Sequence, residues 1–268
     1  MFLYRSKLLR TLVLFLFCMK ISSCSSNDTV DSDKVDPDAY YGSYRGYYSG
    51  EDKKVYFSAQ FRVGGNTGTT VKLTSPAKIS IAGNEMELVE GEERPINVSG
   101  TYYNYELDVV SSPEDSYLFS WVRNDEKVIE NTVTLPGDIS VSSPSSASEL
   151  KEGDTLTIVY DVVDDIGSDT VECFFGRRLK SSSSGYFSPI ISKFANSSEL
   201  GEKKCDFSWD SYFKNWFDED DEYNQDKYEW AVWVIRQNVT TVVNGHPEEG
   251  GKIVGGYTSA RTQIVVTR

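Results

Sequence analysis

Alternation with a period of two limits this chain more than any other feature. Val55, Phe57, Ala59, Phe61 and Val63 alternate with Tyr56, Ser58, Gln60 and Arg62, and the run stops at Gly64-Gly65. Successive side chains of a strand point to opposite faces, so this spacing describes a half-buried strand. Further short runs follow at Thr69 to Leu73, Lys78 to Ala82, Met86 to Val89, Tyr103 to Val109, Tyr117 to Trp121 and Lys127 to Leu135. Turn residues separate them: Ala82-Gly83-Asn84, the loop Ser111 to Asp115, and Asn124-Asp125-Glu126. Short strands with turns at this spacing predict a β-sandwich. The tyrosine-rich run Tyr40 to Tyr48 is expected to pack an entry strand against a sheet, with sugar stacking as the sharper alternative.

The pattern restarts after Pro136-Gly137. Ile139 and Val141 begin a strand, Ser142 to Ser148 is a Ser/Pro loop, and Gly153-Asp154 makes a turn. Leu156, Ile158, Tyr160 and Val162 then alternate. This arrangement resembles the opening of immunoglobulin-like and fibronectin-like bacterial surface domains. Thr170 to Leu179 continues it. Near the end, Tyr228, Trp230, Val232 and Val234 occupy one face of a strand, and Glu229, Ala231, Trp233 and Ile235 the other. The Asn244-Gly245 turn and Gly250-Gly251 follow, then a last strand from Thr258 to Thr267. Antibody-type domains place a core tryptophan between their two cysteines, whereas here Trp209 follows Cys205. The expectation is therefore an all-β chain of two tandem immunoglobulin-like β-sandwich domains, not antibody kinship.

The N-terminus reads differently. Arg5, Lys7 and Arg10 precede the apolar run Thr11 to Met19, which is too short to span a bilayer. Such a segment is a secretory signal and is set aside from the fold. Ile21-Ser22-Ser23-Cys24 resembles the lipobox of bacterial lipoproteins, although Lys20 is an unusual charge before the box. The resemblance implies cleavage after Ser23, lipidation of Cys24 with acyl chains such as palmitate, and a stable membrane anchor. Ser25 and Ser26 follow where an aspartate would retain such a protein at the inner membrane, which favours the outer membrane. The expected organisation is a signal peptide over 1–23, a disordered tether over 24–39, and sandwich domains over 40–135 and 136–268.

Charge excludes one class of partner. All 41 acidic residues follow residue 23 and four of the 27 basic ones precede it, so residues 24–268 hold 23 bases against 41 acids, a net −18. Nucleic-acid binding needs a basic footprint and is not expected. Anionic headgroups would repel such a chain, which leaves membrane attachment to the lipid. Of the four cysteines, Cys18 leaves with the signal and Cys24 takes the lipid. Cys173 and Cys205 remain, and two thiols in an oxidising compartment predict a disulfide.

No catalytic motif stands out, and neither enzyme activity nor a cofactor is expected. The only histidine, His246, sits in the tight turn Asn244-Gly245-His246-Pro247 with little to orient its imidazole. Asn97, Asn196 and Asn238 match glycosylation acceptors that a bacterial lipoprotein would rarely use. Calcium is a weak reading of the tether aspartates, which lack the glycine and glutamate of an EF-hand loop. It is also weak for Asp218, Asp220 and Asp221 in the run Asp218 to Glu222. The sharper candidate joins that run to Trp209, Tyr212, Trp216, Tyr223 and Trp230, since aromatics with carboxylates hold sugars. The leading expectation is a non-enzymatic envelope lipoprotein that binds or scaffolds an envelope protein or glycan. The rival is a carbohydrate-binding module, or a component of a carbohydrate-active enzyme, using residues 205–230.

Overall fold

The computed structural model describes residues 29–93, 98–123, 127–164, 166–182, 187–213, 227–241, 243–246 and 248–267. The chain is all-β. Its first lobe is built on a hairpin of β2 (Tyr40–Ser49) and β3 (Lys54–Val63), in register from Tyr40 opposite Val63 to Ser49 opposite Lys54. The outer edge of β3 is shared. Lys54 to Ala59 pair with β8 (Val98–Asp108), and Phe61 to Val63 with β4 (Thr69–Lys72). β7 (Glu87–Glu93) extends the sheet beyond β8. The facing sheet runs in the order β10 (Lys127–Thr134), β9 (Ser116–Arg123), β5 (Lys78–Ile81) and β6 (Asn84–Glu85). The alternating residues of β3 do what their spacing requires: Val55, Phe57, Ala59 and Phe61 are buried between the sheets. Edge-on aromatic contacts fill the space, with Tyr44 5.3 Å from Phe119 and Phe57 4.8 Å from Tyr117.

The second lobe has immunoglobulin-like topology. One sheet holds β11 (Ile139–Ser143), β13 (Thr155–Val162) and β16 (Lys204–Ser208). The other holds β15 (Ser188–Phe194), β14 (Thr170–Leu179), β17 (Tyr228–Thr240) and β19 (Thr262–Thr267), with β12 (Glu149–Lys151) parallel on β19. Cys173 on β14 and Cys205 on β16 form a disulfide that crosses the core between these sheets. Beside it, Phe175 is sandwiched by Trp230, stacked at 5.3 Å, and Phe213, edge-on at 5.2 Å.

The two lobes share their main sheet. β17 is 13 residues long, more than the lobe itself uses. Trp230 to Val232 pair with β19, whereas Ile235 to Thr240 pair with β18 (Gly251–Thr258). β18 then lies parallel to β2, from Gly251 opposite Gly42 to Thr258 opposite Ser49. A single 12-stranded sheet results, and one cluster of buried side chains runs through both lobes. The expected domains 40–135 and 136–268 contain no strand in common; in the structure a hairpin of the second completes the first.

Two expectations change here. The tether expected over 24–39 is ordered from Thr29 onward. β1 (Thr29–Asp31) pairs in parallel with β4, and Tyr40 Oη donates to the Ser32 carbonyl at 3.0 Å. Thr74 N–H also donates to Ser32 Oγ at 2.8 Å. Pairing with a short edge strand satisfies backbone groups that the polar composition left open. The glycine-rich stretch after Gly250 is a strand rather than a connection. Its glycines hide the alternation because a Cβ at Gly255 would strike the Thr134 carbonyl, and one at Gly256 the Tyr47 ring. Glycine lets the backbones approach there.

Candidate binding surface

The turn carrying His246 leaves the second lobe and enters the core of the first. Asn244 N–H donates to Asn131 Oδ1 at 2.8 Å, and Asn131 Nδ2 donates to the Asn244 carbonyl at 3.2 Å. His246 is 3% exposed. Its Nδ1 lies 2.9 Å from the Tyr40 carbonyl, its Nε2 lies 2.8 Å from Tyr44 Oη, and its ring stacks on Trp121 at 5.4 Å and 2°. The expectation that nothing orients this imidazole is therefore corrected. Its partners come from β2 and β9, about 200 and 125 residues away, which local reading could not supply.

Of the aromatic and acidic candidate site, Trp209, Tyr212 and Trp230 lie among the described residues. Trp209 is 5% exposed and packs on Phe213 at 5.4 Å, so it offers no free face to a sugar. Tyr212 is half-buried, edge-on to Phe207 at 5.2 Å, and Trp230 is 2% exposed. Trp209 and Phe213 are carried into the second lobe by the helical turn Trp209–Phe213 that follows β16, and Trp230 by β17. Trp216, Tyr223, Asp218, Asp220 and Asp221 lie outside the described residues, as does Cys24. Among the described residues, no group of three or more His, Cys, Asp or Glu is placed to hold a metal ion.

The sequence reading missed a groove on the outer face of the shared sheet. Phe174 stands opposite Trp233, Ile235 opposite Thr258, Val239 opposite Val254, and Val254 opposite Arg45. Residues directly opposite one another share a face, so four strands contribute to one surface. The groove has a volume of about 730 Å³ and crosses the lobe junction. At its second-lobe end, Phe174 and Trp233 stack at 5.3 Å and 3°. The Arg261 guanidinium lies 5.7 Å from the Trp233 ring and 5.5 Å from the Phe187 ring.

The first-lobe end is cationic. Burial lowers the Lys252 ammonium from its ordinary value, and Arg45 and Arg62 push it lower. Burial likewise lowers Arg45, with Arg62 adding to the effect and Tyr47 and Tyr41 opposing it. Burial raises the Tyr47 phenol to about 12. Glu172 is the one carboxylate among the lining residues. Two polar atoms of the wall, Arg261 Nε and Thr258 Oγ1, are buried without a hydrogen-bond partner among the described residues. One signal in the sequence pointed here. β17 carries bulky apolar groups on both faces, so both had to be covered; Trp230, Val232 and Val234 enter the main core, and Ala231, Trp233 and Ile235 a second cluster with Tyr47, Phe187 and Val254.

No family model matches this chain, and no curated protein matches it. Among solved structures it is similar to the tandem Ig repeats of Dlar, at 9% identity and a TM-score of 0.32, covering 85% of this chain and 97% of that one. It is also similar to the fibronectin(III)-like modules of Clostridium thermocellum CbhA, at 10% identity and a TM-score of 0.23, covering 84% of this chain and 91% of the other. Similarity at this level leaves the fold to be argued from the strand pairing above.

Proposed function

We propose that this protein is a non-enzymatic lipoprotein of the bacterial cell envelope that presents a two-lobed β-sandwich for binding or scaffolding. One observation carries the reading: the parallel pairing of β18 with β2 holds both ends of the groove in a single sheet. A surface built this way is preorganised, so a partner does not bear the cost of ordering it. Both ring nitrogens of the only histidine are engaged in the junction, which supports a binding role over acid–base catalysis. The envelope address rests on the lipobox at Cys24, and the Cys173–Cys205 disulfide suits an oxidising compartment. No helix among the described residues is long and apolar enough to cross a membrane. In this reading the acyl chains on Cys24 attach the protein to the outer membrane.

Metabolic labelling of the full chain with radioactive palmitate tests the address. The label and the protein should both sediment with outer membranes, and Cys24→Ala should lose the label and leave the membrane fraction. A Cys24→Ala protein that still carries label would sink the lipoprotein reading.

A further inference from the structure

The groove has the wrong charge for its chain. The protein carries a net charge of −14, yet Arg45, Lys252 and Arg261 line this surface with Glu172 as the one carboxylate. Among the described residues no carboxylate is ion-paired with Lys252, and its charged neighbours Arg45 and Arg62 repel it. The fold gathers like charges at a cost, and an anion in the groove would offset this repulsion.

The rest of the lining selects the kind of anion. A sugar ring needs an open aromatic face, but Phe174 and Trp233 cover each other and Arg261 lies over Trp233 and Phe187. The apolar surface still offered is aliphatic: half-buried Ile190 and Val239, which is 58% exposed, above the buried Ile235 and Val254. The wall beside it is β15, which pairs with β14 and ends the sheet among the described residues, leaving a strand edge open. Aliphatic floor, strand edge and cations together suit a polypeptide.

We propose that the groove binds an extended acidic segment of a partner protein, its carboxylates meeting Lys252, Arg45 and Arg261 and its apolar side chains lying on Val239 and Ile190. The proposal rests on the binding role given above and names the surface and the chemistry of the partner. It does not depend on the lipid anchor.

Fluorescence anisotropy on the full chain in detergent micelles tests it, with a labelled peptide of about ten alternating Glu and Val residues as probe. A Lys–Val peptide of equal length and polygalacturonate serve as comparisons. The Glu–Val peptide should bind and the Lys–Val peptide should not. Affinity should fall at least about tenfold between roughly 0.05 and 0.5 M salt, because the attraction is screened. Lys252→Glu and Arg261→Gln should each weaken binding at least about tenfold. Lys252→Met should also weaken binding while leaving the Tm equal or higher, which covers the case in which charge reversal disturbs folding. Absence of Glu–Val binding at low salt overturns the proposal. So does binding that ignores Arg261→Gln and Lys252→Met alike, or binding of polygalacturonate in place of the peptide. Peptide binding lost while palmitate labelling persists removes the groove assignment alone; the reverse outcome removes the anchor alone.

Discussion

His246 and Gly42 decide the junction between them. The Tyr40 carbonyl can only accept, so Nδ1 of His246 carries the proton and Nε2 accepts from the Tyr44 hydroxyl. Burial raises the Tyr44 phenol, so it stays a donor across the physiological range. Gly42 is small because the imidazole lies where its Cβ would be. Gly42→Ala should cost about 1–3 kcal/mol by overpacking. His246→Ala should cost about 2–4 kcal/mol through a cavity and two unpaired groups. Because the two changes share one space, the double variant should cost clearly less than their sum in urea denaturation. Additive costs would show that the ring and the glycine do not compete. None of this was legible at Asn244-Gly245-His246-Pro247, where only a turn could be read.

At the scale of elements, β9 and β13 were readable from alternation because each has one wet and one buried face; β3 was readable from its apolar alternation although Ser58 and Gln60 on its other face are buried as well. β2 was expected as an entry strand from its tyrosines, but β18 was not read, since Gly255 and Gly256 answer neighbours distant in sequence. β15 and the short helix α1 (Ser197–Glu202) after it were missed as well. α1 opens with a capping box: Asn196 Oδ1 accepts from Glu199 N–H at 3.0 Å, and Glu199 Oε2 accepts from Asn196 N–H at 3.0 Å. Lys193 Nζ adds an ion pair to Glu199 at 2.5 Å, and Asp206 N–H points to the same carboxylate at 3.4 Å. Burial raises the Glu199 carboxyl, but Lys193 and these backbone donors outweigh it and leave it below its ordinary value. A depressed carboxylate contributes stability that is complete above its unfolded value of about 4.3 and lost as pH falls through the folded value. Glu199→Gln should therefore lower stability at neutral pH by about 1–3 kcal/mol and flatten the loss between pH 5 and 3 in thermal melts. The disulfide was readable, and it pins β14 to β16, the strand that follows α1. Its cysteines are 32 positions apart, so reduction or Cys173→Ser should cost on the order of 3–4 kcal/mol by the chain-entropy model. Denaturation midpoints with and without reductant measure this, and equal midpoints would contradict it.

As a whole molecule, the protein should unfold as one unit. The shared sheet and the cluster of side chains common to both lobes leave no weak plane between them. Calorimetry should give a single transition, and two separated peaks would show independent lobes. A 40–135 fragment should fail to fold alone, because it lacks β18 and the imidazole seated on Trp121. A folded fragment by circular dichroism would contradict that. The sequence by itself determined the all-β class and the cysteine pair. Those follow from side-chain period, turn chemistry and the chemistry of thiols, all local properties or simple inventories. Only the tertiary structure decided that the lobes share a sheet, that Trp209 is core, and that Arg45, Phe174, Trp233 and Lys252 meet on one face. A strand's alternation says which residues share its face. Which strand lies beside it is set by pairing across the whole chain, and no local pattern encodes that.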